Sequence, residues 1–160
     1  MSNHDKTQHL PIYQKAELLF QLVESLAASL PEDNELLQSM KEIMRADAMM
    51  LPAKIAGAEA GNIYSIRMQN AAIIRFHAMS LYTQIGGLSL YDESIDETFK
   101  NLIRTEIENF RVLFIDWVNS FDTSDYIWDE WELFNPKGAI PPTDFDDFNF
   151  DDFNGESNID

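Results

Sequence analysis

Large apolar side chains recur every three or four residues along most of this chain, most regularly at Ile103, Ile107, Phe110, Phe114, Trp117 and Phe121. Alternating steps of four and three keep side chains on one side of an α-helix, here for about five turns. Three similar stripes precede it. The first runs Ile12, Ala16, Leu19, Val23, Leu26, Leu30, opened by Pro11, whose missing N–H is not needed at a first helical position, and stopped by Pro31. The second runs Leu37, Met40, Met44, Ala48, Leu51, Ile55, Ala58, with Asp33 or Asn34 as its cap. The third carries Ile66, Ile74, Leu81, Ile85 and Leu88, with Ala71 and Ala78 on the same seam, between turns at Gly61-Asn62 and Gly86-Gly87. The fourth opens on Ser94-Ile95-Asp96-Glu97, a capping-box pattern.

Helices of about 20 to 28 residues joined by short connections pack each against its predecessor. The pattern predicts an all-α fold, an up-down-up-down antiparallel four-helix bundle over residues 10–121, after a flexible N-terminus at 1–9. Asp122-Thr123-Ser124 then suits the cap of a short aromatic helix within 122–135, from Asp125 to Phe134, bearing Ile127, Trp128 and Trp131. Beyond Asn135-Pro136 the helical pattern is lost. Residues 136–160 read as a disordered acidic tail in which Phe145, Phe148, Phe150 and Phe153 alternate with Asp144, Asp146, Asp147, Asp151 and Asp152.

Composition agrees with a globular body, at 45% hydrophobic residues and 12% aromatic over 160 residues. The absence of cysteine excludes disulfides, thiolate nucleophiles and cysteine metal sites, and suits a reducing compartment. No apolar run approaches the roughly 20 residues of a membrane-spanning helix, and residues 2–6 are polar, so a cytoplasmic protein without membrane attachment is the expectation. The net charge is −17, of which residues 136–160 contribute −6. Phosphate neutralisation by Lys and Arg drives nucleic-acid binding, so direct contact with DNA or RNA is disfavoured unless the few bases cluster.

Single residues carry less. Pro52 interrupts the second helix and either kinks it, shaping a groove or freeing the Ala48 carbonyl, or bends it around its neighbours. His77 falls at the border of the third helix's apolar face. A di-metal bundle needs Glu-x-x-His pairs, and Ile74 stands where the glutamate would be, so packing outweighs ligation and neither a metal nor a cofactor is expected. Asp47 and Lys54 lie one residue from core positions, and Arg67 and Arg75 are placed to meet Asp47, Glu59 or Asp116 as ion pairs that fix helix register. No Ser-His-Asp grouping has helix-compatible spacing and no glycine-rich phosphate loop is present, so no catalytic residue is expected and the protein reads as not an enzyme. Six of seven methionines (Met40, Met44, Met49, Met50, Met68, Met79) fall in the second and third helices. Apolar residues also lie off the seams: Ile43, Met49 and Met50 on the second helix, and Val112, Leu113, Ile115 and Val118 on the fourth. A bundle helix needs about three apolar positions per heptad for its own core, so this surplus points to a second subunit.

The run Ala46 to Glu59, with Leu51-Pro52-Ala53-Lys54-Ile55-Ala56, resembles the second-helix signature of small bacterial four-helix-bundle proteins, those encoded in intervening sequences of large-subunit ribosomal RNA genes and the accessory proteins of diversity-generating retroelements. Ile12-Tyr13-Gln14-Lys15-Ala16 and the run Ile73 to Gln84 are similar to the same family. The resemblance implies an up-down bundle that assembles into a ring, typically a pentamer, without a catalytic centre. Its retroelement members are basic and bind nucleic acid, whereas this chain is acidic and reads Gly57-Ala58-Glu59-Ala60-Gly61 where the family places its acidic residue directly before the glycine. Two functions follow as expectations. One is a homo-oligomeric assembly module for an unidentified protein partner. The other is an accessory factor of a ribonucleoprotein, touching nucleic acid through Lys41, Arg45, Lys54, Arg67, Arg75, Arg104 and Arg111, bases expected to be dispersed and paired.

Overall fold

A computed structural model describes residues 3–143, so the expected tail contacts of Asp144 to Asp152 and Phe145 to Phe153 lie outside the described residues. Among these, every regular element is helical: α1 (Asn3–Gln8), α2 (Pro11–Ser29), α3 (Glu35–Glu59), α4 (Tyr64–Gly87), a 3-10 turn (Leu88–Leu90) and α5 (Glu97–Asn119). The four expected stripes become α2 to α5. Each long helix packs on two others, α2 on α3 and α5, α4 on α3 and α5, and the α3–α4 contact is the most extensive. The core is drawn from all four, with Leu19, Met44, Leu51, Ile74, Leu81 and Ile103 fully enclosed. No described helix is long and apolar enough to cross a membrane.

Helix ends show why the boundaries fall where they do. Pro11 occupies the first turn of α2. The Asn34 side chain accepts from the amides of Leu36 and Leu37 at 3.1 and 3.2 Å, satisfying two donors that the helix itself leaves bare. At α5 the expected capping box is replaced. Asp96 is the cap, accepting from Thr98 N at 2.8 Å, while Ser94 turns back to Asp92. Glu97 is thereby released to bind Lys100 at 2.7 Å, an amine that is buried with Ser89 as its second partner. The Lys100 ammonium, and then Ser89, hold the Glu97 carboxyl below its ordinary range.

Three expectations change. Residues 3–8 form α1, which packs on α3 and α2 with Thr7 buried, where a flexible N-terminus was anticipated. Ile66 lies 44% exposed, off the core seam that the spacing assigns it to. Residues 125–134 are not helical. Asp129 is the physical reason: its carboxylate accepts from the amides of Trp131, Leu133 and Phe134 at 3.1, 3.0 and 2.9 Å, bonds that compete with a helical ladder. Asn135 closes the loop by accepting from Asp129 N and donating to its carbonyl, and Glu132 sits at φ 52°, outside the helical region. This segment docks on the start of α4, where Tyr64 N donates to Asp125 O at 2.7 Å and Ser65 Oγ donates to Ile127 O at 2.8 Å.

The amide of Phe134, then those of Trp131 and Leu133, lower the Asp129 pKa from 3.8 against the opposing effect of burial. A lowered folded-state pKa gives stability that is complete above the ordinary value and disappears as pH falls through the lowered one. Protection of the Trp131, Leu133 and Phe134 amides, relative to their intrinsic exchange at the same pH, is therefore expected to fall as pH drops below about 3.8, and to be low throughout in Asp129→Ala. Protection unchanged in that variant contradicts this account of the loop.

Candidate functional site

Two arrangements stand out from the helical body, one polar and enclosed, the other apolar and open. The enclosed one centres on Asp47, 6% exposed on α3. Its Oδ1 meets His77 Nδ1 at 2.7 Å, and its Oδ2 accepts from Ser80 Oγ at 2.8 Å and Gln84 Nε2 at 2.7 Å. Gln84 Nε2 also donates to Ser80 Oγ at 2.6 Å, so the serine passes on the bond it receives. All three neighbours can donate, as a carboxylate that only accepts requires. His77, Ser80 and Gln84 are separated by three and four residues, which puts them on one face of α4.

A serine and a histidine from α4 thus meet an aspartate from α3, a grouping that spacing within one helix does not reveal. Its geometry is not that of a nucleophile and base, because the Ser80 hydroxyl and His77 Nδ1 both address Asp47. Among the described residues no three His, Asp or Glu side chains group as a metal ion would require. What the cluster does is physical. It ties α3 to α4 at one register, and removing the carboxylate would strand three donors.

Of the ion pairs expected from sequence, Arg67 with Glu59 forms, and the others do not among the described residues. Asp47 takes the α4 stripe instead of Arg67 or Arg75. Glu59 takes Arg67 Nη2 and the Trp117 indole N–H, the latter at 2.8 Å, joining α3, α4 and α5. The Arg67 guanidinium lies 4.1 Å from the Phe121 ring centroid. Among the described residues Lys54 and Arg75 have no ion pair, and Asp116 is exposed without one. Pro52 is buried in an α3 that runs unbroken from Glu35 to Glu59.

The open arrangement is a groove of about 480 Å³ between α4 and α5, lined by Ala78, Met79, Tyr82, Ile107, Phe110, Phe114 and Ile115 among others. Arg75 and Arg111 stand at its rim. Arg104, seven residues before Arg111 on α5, stacks 4.0 Å from the Tyr82 ring centroid. Gly86 permits that pose, because a Cβ there would fall 3.3 Å from Arg104 Cζ. Arg104 Nε is buried without a hydrogen-bond partner among the described residues. Arg75 and Arg111 thus share one groove and Arg104 stacks on its lining residue Tyr82, while Arg111 is paired there with Glu108 at 2.9 Å. Elsewhere Arg45 is engaged by Glu24 at 2.6 Å and Glu42 at 3.3 Å.

Sequence reading placed Asp47 and His77 at the edges of apolar faces without pairing them. The signal was the polar stripe His77-x-x-Ser80-x-x-x-Gln84 beside an apolar seam. Comparison with family models, with characterised proteins and with solved structures finds no match to this chain.

Replacing Asp47 with Ala is expected to cost about 3 kcal/mol of unfolding free energy, read by urea denaturation, because three donors lose their acceptor. In a double-mutant cycle with Ser80→Ala the two losses should be non-additive by at least about 0.5 kcal/mol. Additive losses contradict a shared network.

Proposed function

We propose that the protein is a non-catalytic, self-assembling helical module that presents an interaction surface to a protein partner, with its four long helices arranged as an up-down-up-down antiparallel bundle. The observation that carries this reading is the apolar surface outside the core. Leu36, Ile43 and Met49 on α3 are 63%, 53% and 55% exposed, Phe76 and Met79 on α4 are 66% and 53%, and Val112 and Ile115 on α5 are 54% and 46%. Exposed large apolar side chains in such number, beyond what the core uses, suit a surface that meets another chain. Leu36, Ile43 and half-buried Met50 are seven residues apart and form a straight stripe on α3, suited to a neighbouring copy. The pentameric count rests on the resemblance alone. A cytoplasmic setting rests on the sequence features given above.

The ribonucleoprotein alternative draws support from Arg75, Arg104 and Arg111. Against it stand the net charge of −17 and the engagement of Arg45, Arg67 and Arg111 by glutamates. A salt-dependent shift of RNA or DNA at physiological ionic strength would favour it.

Light scattering tests assembly. The full chain is expected to run as a particle of several copies of 18.4 kDa. The double substitution Ile43→Glu with Met49→Glu should reduce it to one copy with helicity intact, since both positions are more than half exposed. A wild-type particle of one chain's mass overturns the reading.

A further inference from the structure

We infer that the α4–α5 groove is the docking site of the chain's own Phe- and Asp-rich segment, residues 144–153, a conclusion that rests on the interaction-module reading and names the occupant of its surface. The groove needs an occupant that is aromatic or aliphatic in its centre and anionic at its edges. It is lined by apolar Ala78, Met79, Phe110 and Phe114 and by the charged residues Arg75, Arg111 and Glu108, the last paired with Arg111 at 2.9 Å, which leaves one net positive charge. Residues 144–160 supply the complement: four Phe within ten residues, seven acids and no base. Arg75 stands in this lining with no ion pair among the described residues, and Arg104 stacks on the lining residue Tyr82, so an acidic segment meets positive charge here.

Size and reach agree. The groove runs along α4 from Arg75 to Thr83, which is about 12 Å at 1.5 Å per residue. Packed aromatic rings sit about 4.5–7 Å apart, so two or three of the four Phe fill it. The chain leaves α5 and is fastened at Asp125 and Ile127 to the first residues of α4, about 15 Å from Arg75. Beyond the closed 129–135 loop, residues 136–143 reach at most about 26 Å at about 3.3 Å each, still more than that gap. A second copy fits the α3 stripe well, but its acidic surface does not explain the arginines here. A nucleic acid explains the arginines, but it must approach a chain of net charge −17.

The test uses the full chain and a fluorescent peptide of residues 142–156 read by anisotropy. In wild type the attached segment competes at the high effective concentration of a tethered ligand. The full chain carrying Phe145→Ser, Phe148→Ser, Phe150→Ser and Phe153→Ser should therefore bind the peptide at least about tenfold more tightly than wild type. Adding Arg75→Glu and Arg111→Glu, both exposed positions, should weaken that binding at least about tenfold, and raising salt should weaken it further. Equal binding to wild type and the Phe variant, no binding to either, or indifference to the arginine changes overturns the inference. So does a labelled single-stranded oligonucleotide that binds the Phe variant more tightly than the peptide does, which would assign the groove to nucleic acid. Light scattering on the same samples reads assembly separately, so a failure of docking is distinguishable from a failure of self-association.

Discussion

The Asp47 carboxylate, enclosed between α3 and α4, is the constraint from which the rest of the architecture follows. A charge removed from water demands donors, and only one alignment of α4 offers His77, Ser80 and Gln84 together. Sliding α4 by one residue would turn that face away and leave the carboxylate stranded. Apolar contacts alone tolerate such slippage more readily, because Leu, Ile and Met repack. The Glu59–Arg67–Trp117 group repeats the device at the α3–α4 turn and carries it to α5.

The α4–α5 groove brings together two otherwise separate features of the chain. The helices carry more apolar surface than one core encloses, and the protein is strongly acidic. Exposed Met79 and Ile115 favour association, while general negative charge opposes association with like chains. Positive charge from Arg75, and from Arg104 on Tyr82, would make association at this one apolar strip selective for an acidic occupant. Selectivity of this kind comes from charge arrangement more than from buried area.

Much of the helical pattern could be read from spacing, because Leu, Ile and Phe at steps of three and four line one face of a helix and would scatter over both faces of a strand. The N-cap of α3 was legible for a related reason, Asn34 standing just before the stripe. Asp129 defeated the reading of residues 125–134, since a carboxylate that gathers three amides overrides the helical periodicity of Ile127, Trp131 and Phe134. The Asp47 cluster escaped because its parts lie 30 to 37 residues apart, and a single stripe does not say which acid on another helix it faces. The arginine convergence was hidden likewise. Arg75, Arg104 and Arg111 look scattered in one dimension, and only the packing of α4 on α5 brings Arg75 and Arg111 to one groove and Arg104 onto Tyr82.

The central claim is that the α4–α5 face is covered in solution. The chain lacks cysteine, so one introduced thiol reports on one place. Thr83 is an exposed groove residue, and Ser25 is an exposed residue of α2 outside it. Alkylation rates of Thr83→Cys and Ser25→Cys, each divided by the rate of the same variant in denaturant, measure cover at the two positions free of intrinsic reactivity. A covered groove predicts that the thiol at position 83 reacts at least about tenfold more slowly than the one at 25. Equal normalised rates would mean that nothing occupies the groove, and would contradict the account.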